Sequence, residues 1–579
     1  MLDKQISQTI TTIISELYGA DNMVLPLEKT PKEQSGDFTV IIFPILKLAK
    51  QKPEDAAKAI GDALIKSCDI IEGFEVIKGF LNLRVTDQAL YEAIKKHDCS
   101  IPKIADDDST YLVEYSSPNT NKPLHLGHIR NNLIGYSISK ILQACGHRVK
   151  MIQIINDRGI HICKSMLAWQ RFGNEETPKS TNTKGDHFVG KYYVEYEKQY
   201  RKEVKELVDQ GLTQEAAEKQ APLHQQVQKM LRDWEKKDPD TRDLWKKMNQ
   251  WVYDGFDESY QRLGVSFDKN YYESNTYLLG KQVIADGLAK KIFYQKEDGS
   301  VWVDLTDEGL DEKLLLRADG TAVYITQDIG TAIERYQDYQ FGHMIYTVAD
   351  EQDYHFQVLF LILKKLGYPW AKNCYHLSYG MVTLPSGKMK SREGTVVDAD
   401  DLMNQMHQTA RSISESRDTP QGDSIYEMIG MAALKYQLLR VDPRKTVLFD
   451  PETSIDFHGK TGPFIQYTYA RIQSIIRKYG AVKSYTQPKS LHPEERNLIK
   501  KACDYQNQVI QAAKQKSPAL LANYLYELVK IYNGFYQENP ILNADKQETT
   551  QFRVTLSHHI ASIIEHAAQL LGFDVPDHM

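Results

Sequence analysis

The first hundred residues alternate between two hydrophobic patterns. Apolar residues recur at helical spacing from Ile6 to Leu17 and again from Glu54 to Cys68, which predicts two amphipathic helices. Short apolar runs from Phe38 to Phe43 and from Phe80 to Val85 predict strands. We therefore expect a small α+β domain over residues 1–105.

A strand–loop–helix–strand pattern follows the polar stretch Lys96 to Thr110, which predicts a linker. The run that starts at Tyr111 is strand-like, and Ile129 to Ala144 repeats apolar residues at helical spacing. Gly146 is well placed just past the end of that helix, and Val149 to Ile155 is a second apolar strand. This βαβ order predicts parallel strands with helices on the faces of the sheet.

The α/β pattern is interrupted and then resumes. Residues from about 171 to 300 are charge-rich and mostly helical, which predicts an insertion between two halves of a sheet. Near Val323 the pattern returns, with apolar runs at Met344 to Val348 and Tyr379 to Leu384 around a helix from Phe356 to Leu366. We expect one domain over residues 106–425 that contains this insertion.

After about residue 425 the chain is nearly all helix, which predicts an all-α domain over residues 426–579. The length of 579 residues agrees with several domains, since about 150 residues per domain is typical. No run of about 18 apolar residues is present, so we expect no membrane span. The N-terminus lacks a cleavable apolar core, and we expect a cytoplasmic protein.

Charge and cysteine usage narrow the chemistry. The net charge is −6, so any contact with nucleic acid must come from local basic patches. The six cysteines are scattered without a CxxC pair, which argues against a disulfide scaffold and against a thiolate zinc site. We expect no bound metal among the side chains of this chain.

The segment His125-Leu-Gly-His128 lies where the first predicted strand feeds the first helix. Open α/β sheets bind ligands at the carboxyl ends of their strands, and a helix N-terminus there offers free N–H groups to a phosphate. Gly127 allows close approach of the backbone, and the two histidines can donate hydrogen bonds to phosphate oxygens. The alternative is a pair of ordinary surface histidines.

A basic segment lies some 260 residues further on, at Gly387-Lys-Met-Lys-Ser-Arg-Glu-Gly394. A glycine-flanked basic loop suits a polyphosphate, because its cations match the charge that develops on leaving pyrophosphate. The alternative is a solvated turn. Other nucleotide motifs fail: Gly459-Lys460-Thr461 imitates the end of a Walker A loop, but position 454 is Ser454 where that motif needs glycine.

Together the two segments resemble the HIGH and KMSKS signatures of class I aminoacyl-tRNA synthetases, and further segments resemble the arginyl-tRNA synthetase family. These segments are Val113-Glu-Tyr-Ser-Ser-Pro-Asn-Thr-Asn-Lys-Pro-Leu-His-Leu-Gly-His128, Gly255-Phe-Asp-Glu-Ser-Tyr-Gln-Arg-Leu-Gly264, Tyr324-Ile-Thr-Gln-Asp-Ile-Gly330, Gly462-Pro-Phe-Ile-Gln-Tyr-Thr-Tyr-Ala-Arg471 and the C-terminal Leu-Leu-Gly-Phe-Asp-Val-Pro-Asp-His-Met579. The resemblance runs from about residue 110 to 579, with weaker support before that.

The resemblance implies a multidomain α/β fold. It comprises a Rossmann-like parallel-sheet catalytic domain with a helical insertion, a small N-terminal α+β domain that contacts tRNA, and an all-α anticodon-binding domain. It implies an arginine–tRNA ligase that converts arginine and ATP to arginyl-adenylate and pyrophosphate, and then transfers arginine to tRNA(Arg). The partners it implies are tRNA(Arg), L-arginine and ATP with Mg²⁺, without zinc, and the family's usual state is a monomer. Activation of arginine is expected to need bound tRNA.

The resemblance also implies roles for individual residues. Those that match catalytic positions are His125, His128, Lys122 and Arg392. Those that match ATP-binding positions are His125, Gly127, His128, Lys388, Met389, Lys390 and Ser391. Those that match positions for the arginine substrate are Glu114, Asn119, Tyr324, Asp328 and Gln352. Two carboxylates suit a planar guanidinium, because paired N–H···O bonds grip it in a way that a lysine ammonium cannot reproduce.

One position departs from the family pattern. The KMSKS signature has lysine at its fourth position, where this chain has Ser391. Family members with that gap often carry a lysine just ahead of the first motif, as Lys122 is here. Our hypothesis is that Lys122 and Arg392 share the neutralisation of phosphate charge, with Lys388 or Lys390 as helpers.

Aromatic and basic residues interleave in the C-terminal helices, where bases could stack and cations could meet phosphates. Candidate tRNA contacts are Tyr467, Arg471, Tyr532 and Tyr536, although tyrosine at helical spacing more often belongs to a core. The alternative functions are another class I synthetase of the cysteine or glutamate type, a smaller nucleotidyltransferase, or a non-catalytic tRNA-binding protein derived from a synthetase.

Overall fold

The structure is a computed structural model that describes residues 2–31, 33–104, 109–385, 397–416, 422–480 and 488–579. Its N-terminal part is a four-stranded antiparallel sheet, in the order β1-β2-β4-β3, covered by helices. The elements are α1 (Leu2–Tyr18), β1 (Leu27–Lys29), β2 (Phe38–Ile41), α2 (Leu46–Ala49), α3 (Pro53–Ser67), β3 (Ile71–Ile77), β4 (Phe80–Val85) and α4 (Asp87–Lys96).

Burial in this N-terminal part follows the periodicity of the sequence. On α1, Ile6, Ile10, Ile13 and Ile14 form one buried stripe, three to four residues apart. Full burial of such a side chain contributes about 1.5–3 kcal/mol, so the stripe holds α1 onto the core. The predicted α+β pattern is therefore confirmed in this part of the chain.

The central part is built on a five-stranded sheet in the order β12-β11-β5-β6-β7, in which every pair of neighbours is parallel. The elements up to the second sheet strand are β5 (Thr110–Glu114), α5 (Leu126–Ala144) and β6 (Arg148–Ile155). Because β6 lies on one side of β5 and β11 on the other, the order in which successive strands are added to the sheet reverses at β5. A crevice for ligands forms at such a reversal, beyond the carboxyl ends of the strands.

A helical segment separates β6 from the next sheet strand. It consists of α6 (Ile160–Phe172), α7 (Pro178–Thr181), α8 (Gly185–Asp209), α9 (Gln214–Gln220), α10 (Pro222–Glu235) and α11 (Pro239–Leu263). The strand β7 (Lys269–Tyr272) then pairs with β6. The interval 171–300 is therefore helical in its first part, but it also contains an edge strand of the main sheet.

The second half of the sheet follows a small antiparallel sheet in the order β10-β9-β8. The elements are α12 (Glu273–Thr276), α13 (Gly280–Ala289), β8 (Phe293–Gln295), β9 (Val301–Val303), β10 (Lys313–Leu316), α14 (Tyr324–Tyr339), β11 (His343–Ala349), α15 (Asp353–Lys365), β12 (Cys374–Tyr379) and β13 (Val382–Thr383).

After β13, the elements of the described residues are helices and one short strand, β14, which pairs in parallel with β13. Its elements are α16 (Ala399–Ser416), α17 (Asp423–Leu439), β14 (Val447–Leu448), α18 (Pro451–Ser454), α19 (Gly462–Tyr479), α20 (Pro493–Cys503), α21 (Tyr505–Gln515), α22 (Pro518–Glu538) and α23 (Gln547–Leu570). In the portion of the chain that the structure describes, no helix has both the length and the apolarity needed to cross a membrane.

The apolar run Tyr379 to Leu384 is divided between two strands. The sheet strand β12 ends at Tyr379, and β13 pairs with β14 instead of the main sheet. The buried guanidinium of Arg130 on α5 separates the two strands by donating to the carbonyls of Gly380 and Met381. The same guanidinium donates to the carbonyl of Lys445 at 2.7 Å and so ties α5 to the helical part.

Candidate active site

The N-terminus of α5 lies at the carboxyl end of β5 and begins with the two predicted histidines. His125 is the N-cap residue, and its Nδ1 accepts a hydrogen bond from the Gly127 amide at 3.1 Å. The Nδ1 of His128 accepts from the His125 amide at 3.1 Å, which completes a reciprocal capping box. A Cβ on Gly127 would lie 3.0 Å from the ring of His125, so glycine suits this position.

This capping arrangement selects the tautomer of both imidazoles. Because each Nδ1 accepts an amide hydrogen, the proton of each neutral ring lies on Nε2. Burial and the charge of Lys122 lower the pKa of His125 to about 4. Burial and the neighbouring His125 and Lys122 lower the pKa of His128. Both rings are therefore neutral near pH 7, with an Nε2–H donor each for a phosphate oxygen.

Lys122 lies just ahead of the capping box and is partly buried. Burial lowers the pKa of Lys122, because the charged ammonium loses part of its hydration. Among the residues that the structure describes, no carboxylate lies within ion-pair distance of this ammonium. Its charge lowers the pKa of both His125 and His128, so the ammonium lies near both imidazoles.

The segment after the predicted basic loop pairs with the start of α5. The Leu126 amide donates to the Val397 carbonyl at 3.1 Å, and the Ala399 amide donates to the Leu124 carbonyl at 3.0 Å. Residues 397–399 are thereby held beside the start of α5. The loop residues Lys388, Met389, Lys390, Ser391 and Arg392 themselves lie outside the described residues.

Carboxylates gather on the other side of the crevice. Glu114, the last residue of β5, is buried and forms an ion pair with Arg335 of α14. Burial and the charge of Asp328 raise the pKa of Glu114, against the lowering effect of Arg335. Asp328, on the second turn of α14, accepts a hydrogen bond from Nε2 of His355 at 2.7 Å and stays partly exposed.

Glu273 belongs to the same group of carboxylates, although the sequence analysis did not select it. It directly follows β7, the edge strand next to β6. Burial raises the pKa of Glu273 to about 7, and the charges of Asp157 and Asp328 add to this effect against Arg158. The pattern that could have revealed Glu273 is a charged residue at the end of a strand, and that strand lay inside the predicted helical insertion.

The remaining predicted arginine-binding residues border the same edge of the sheet. Asn119 extends the pairing of β5 with β6 through a bridge to Asn156. Tyr324 begins α14 with 75% of its surface exposed, and Gln352 is an exposed residue directly before α15.

A second candidate site is a groove between α19 and α22 with a volume of about 760 Å³. The guanidinium of Arg471 lies 4.9 Å from the ring centre of Tyr467 and 4.7 Å from that of Tyr536. Both rings are partly exposed, and Arg477 and Lys478 add positive charge to the lining. Exposed rings beside cations suit unstacked bases and their phosphates.

Tyr532 does not belong to this groove, and its prediction as a tRNA contact is wrong. Its side chain is fully buried, and its hydroxyl donates to Ser557 Oγ at 3.1 Å. It lies on the core face of α22, whereas Tyr536, four residues later, reaches the groove.

Three family descriptions match successive parts of the chain. Residues 3–85 match "Arginyl tRNA synthetase N terminal domain", residues 91–450 match "tRNA synthetases class I (R), catalytic domain", and residues 465–579 match "DALR anticodon binding domain". The chain belongs to the arginyl-tRNA synthetase family.

Full-length relatives agree with this membership. A Flavobacterium psychrophilum protein named arginine–tRNA ligase is 53% identical, and a Parabacteroides distasonis protein of the same name is 51% identical. Each of these matches covers 100% of both chains. The Thermus thermophilus arginyl-tRNA synthetase structure has a TM-score of 0.83 at 23% identity over 100% of both chains, and therefore shares the fold.

The arginyl-tRNA synthetase fold thus brings together most of the residues that the sequence predicts for the active site. Within the described part, His125, Gly127, His128 and Lys122 share one side of the crevice. Glu114 and Asp328 share the other side. The family descriptions meet near residues 85–91 and 450–465, while our own domain boundaries stay predictions.

Proposed function

We propose that the chain is an arginine–tRNA ligase whose crevice separates a polyphosphate from a guanidinium. The observation that carries this proposal is the opposite polarity of the two sides. Neutral imidazole donors and the ammonium of Lys122 line the α5 side. Carboxylates line the other side, where burial and the charge of Asp328 raise the pKa of Glu114 and of Glu273. An anionic nucleotide and a cationic amino acid fit these two sides together.

In the first step, a carboxylate oxygen of arginine attacks the α-phosphorus of ATP. A bond forms between that oxygen and the phosphorus, the bond from the α-phosphorus to its bridging oxygen breaks, and pyrophosphate leaves. The enzyme needs no nucleophile of its own, so the reaction is accelerated by the positioning of the substrates and by stabilisation of the charge that develops in the transition state. In the second step, a hydroxyl of the terminal tRNA adenosine attacks the arginyl carbonyl and AMP leaves.

On the α5 side, His125 and His128 donate through Nε2 to phosphate oxygens, and Gly127 lets the nucleotide approach. Lys122 adds positive charge, and we propose Arg392, Lys388, Met389, Lys390 and Ser391 as further ATP-binding residues from the sequence pattern. Mg²⁺ would be bound mostly by the ATP phosphates and water. No zinc site is part of this proposal.

On the acidic side, Asp328 and Glu273 bind the guanidinium of the substrate, because a partly exposed carboxylate can receive its planar fork. Glu114 lies beside this pocket, and its own carboxylate is already paired with Arg335. Tyr324 lies at the outer edge of this pocket. Asn119 and Gln352 bind the backbone end of the arginine substrate.

We propose the groove of Tyr467, Arg471 and Tyr536 as the contact with unstacked tRNA bases. Substituting Tyr536→Ala is expected to raise KM for tRNA about tenfold, because one base–aromatic stack contributes about 1–3 kcal/mol. Tyr532→Phe is the matched control on the same helix, because it removes only a buried hydroxyl. An equal effect of both changes would refute this groove.

ATP–pyrophosphate exchange in the presence of tRNA, measured across the twenty amino acids, tests the function. Arginine alone should support exchange, and exchange without tRNA should stay near background. A response to cysteine or glutamate would favour another class I synthetase, and no response at all would favour a non-catalytic tRNA-binding protein. We further propose a cytoplasmic monomer.

A further inference from the structure

A charged cluster joins the helical insertion to the segment beside the two histidines. Lys184 precedes α8, and its ammonium donates to Asp400 Oδ2 at 2.6 Å, to Ser259 Oγ at 2.6 Å and to Asp186 Oδ2 at 3.1 Å. Asp400 belongs to the first turn of α16, and Ser259 belongs to α11. Three separate stretches of chain therefore meet at one ammonium group.

His187 strengthens this cluster from the first turn of α8. Its Nε2 lies 2.9 Å from Asp400 Oδ2 and 3.6 Å from Asp398 Oδ2. Asp398 Oδ1 in turn accepts the amides of Asp400 at 2.8 Å and Asp401 at 3.1 Å. The beginning of α16 is therefore held both by its own capping carboxylate and by two basic side chains of the insertion.

The backbone beside this cluster is the same backbone that pairs with the start of α5. Asp398 forms an antiparallel bridge with His125, between the hydrogen bonds that link Leu126 to Val397 and Ala399 to Leu124. Asp400 follows Asp398 by two residues. A shift of Asp400 would therefore be transmitted through a short, hydrogen-bonded stretch to the N-cap of the catalytic helix.

Among the described residues, Asp186, His187 and Asp400 also have the spacing of metal ligands. The ammonium of Lys184 already donates to carboxylates of both aspartates, so the cluster carries its own cation. The side chains of Lys184 and Asp400 are only 17% and 18% exposed. Salt screens such partly buried pairs less than surface pairs, which suits a role in holding position.

We propose that Lys184 and His187 are positioning residues for arginine activation: they hold Asp400, and through residues 397–399 they keep His125 in place for ATP. The helical insertion thereby acts on the chemical step without contacting the substrate. This inference rests on the proposed function, since it concerns the same reaction. A misplacement of about 1 Å in a catalytic group can lower a rate about 100-fold, so a loosened anchor has a measurable effect.

The test is the arginine-dependent exchange reaction of the full chain with tRNA(Arg) and MgATP. We expect Lys184→Met to lower kcat about tenfold while KM for arginine changes by less than about twofold. Lys184→Arg keeps the cation and should recover most of kcat. Lys191→Met is the matched control on α8, the helix that follows Lys184, because Lys191 forms an exposed pair with Glu176, and its kcat should equal that of the unchanged protein.

Equal kcat values for Lys184→Met and the unchanged protein would overturn the proposal, as would equal losses in Lys184→Met and Lys184→Arg. If Lys184→Met does not fold, as judged by circular dichroism, His187→Gln replaces it. That variant should lower kcat several-fold with KM for arginine unchanged, and an unchanged kcat would again refute the proposal. Failure of the proposed function is distinguishable, because then the unchanged protein itself would show no arginine-dependent exchange.

Discussion

Among the residues that the structure describes, the polar groups of the α5 side come from one stretch of chain, residues 122–128, whereas the acidic side collects Glu114, Glu273 and Asp328 from distant stretches. On the α5 side, backbone amides orient the two imidazoles, because both histidines cap the helix that carries them. On the acidic side, neighbouring side chains hold the carboxylates, as Arg335 holds Glu114 and His355 holds Asp328.

The difference shows how one crevice can treat two charged substrates differently. Burial lowers the pKa of the histidines and keeps them neutral, so that they donate hydrogen bonds to phosphate as uncharged groups. Burial and the charge of Asp328 raise the pKa of Glu114 and of Glu273, so that the acidic side gains from a bound cation. The α5 side therefore favours an anionic substrate, and the acidic side favours a cationic one.

We expect the largest effect from substitutions of His128 that separate its two roles, which are helix capping through Nδ1 and hydrogen-bond donation to phosphate through Nε2. Asparagine places an acceptor near the Nδ1 position and can keep the helix cap, while glutamine can reach the Nε2 position and keep a donor. We expect His128→Asn to lower kcat of arginine activation about 1000-fold, as the loss of a transition-state donor does. His128→Gln should retain more activity. If His128→Asn lost less kcat than His128→Gln, the function of this ring would be to cap the helix and not to donate a hydrogen bond to phosphate.

Asp328→Asn probes the acidic side, and KM for arginine should rise about 100-fold because a charged hydrogen bond contributes about 1.5–3 kcal/mol. KM for ATP should stay unchanged, which tests whether the two sides are independent. Asp338→Asn is the control, because Asp338 lies further along α14 and pairs with Lys269 and Tyr271. A similar rise in both variants would show a general loss of α14 and not a lost substrate contact.

Lys122→Ala should lower kcat about tenfold, because one of several cations near the leaving pyrophosphate is removed. The pKa of His125 should also rise, since the charge of Lys122 contributes to lowering it. Lys122→Arg keeps the charge and should stay close to the unchanged protein. Intact adenylate formation in the alanine variant, measured by pyrophosphate exchange, would refute the sharing of charge between Lys122 and Arg392.

The smallest effect concerns pH. The pKa of Glu273 is raised to about 7, so its carboxyl is largely protonated below that pH and ionised above it. Arginine affinity should therefore improve about fivefold between about pH 6 and about pH 8, because the ionised form binds a cation. Titration calorimetry of Glu273→Gln should show a flat dependence over this range. A dependence that persists in that variant would assign the titration to another group.

Contiguous motifs were predictable from the sequence because local spacing determines them. The capping box needs only a residue at the helix start and one three positions later, so His125 and His128 follow from the chain itself. The βαβ order of β5, α5 and β6 follows from hydrophobic periodicity in the same way.

The position of a residue in the core or at a site was less predictable where it depends on elements that are distant in the chain. Tyr532 and Tyr536 are both tyrosines of α22, one turn apart, yet one lies in the core and the other in the groove. Their surroundings come from α19 and α23, which the local pattern does not contain. Glu273 was missed for a similar reason, since only strand pairing with β6 brings it to the crevice.

The sequence by itself determined the family, the order of helices and strands, and the polar residues of the α5 side, because each rests on short-range spacing or on long contiguous similarity. Tertiary structure alone decided that Arg335 pairs with Glu114, that Glu273 joins Asp328, and that Lys184 reaches Asp400. The physical reason is that these are interactions between stretches far apart in the chain. Only the packing of the sheet, the insertion and the helical part brings their charges within reach of one another.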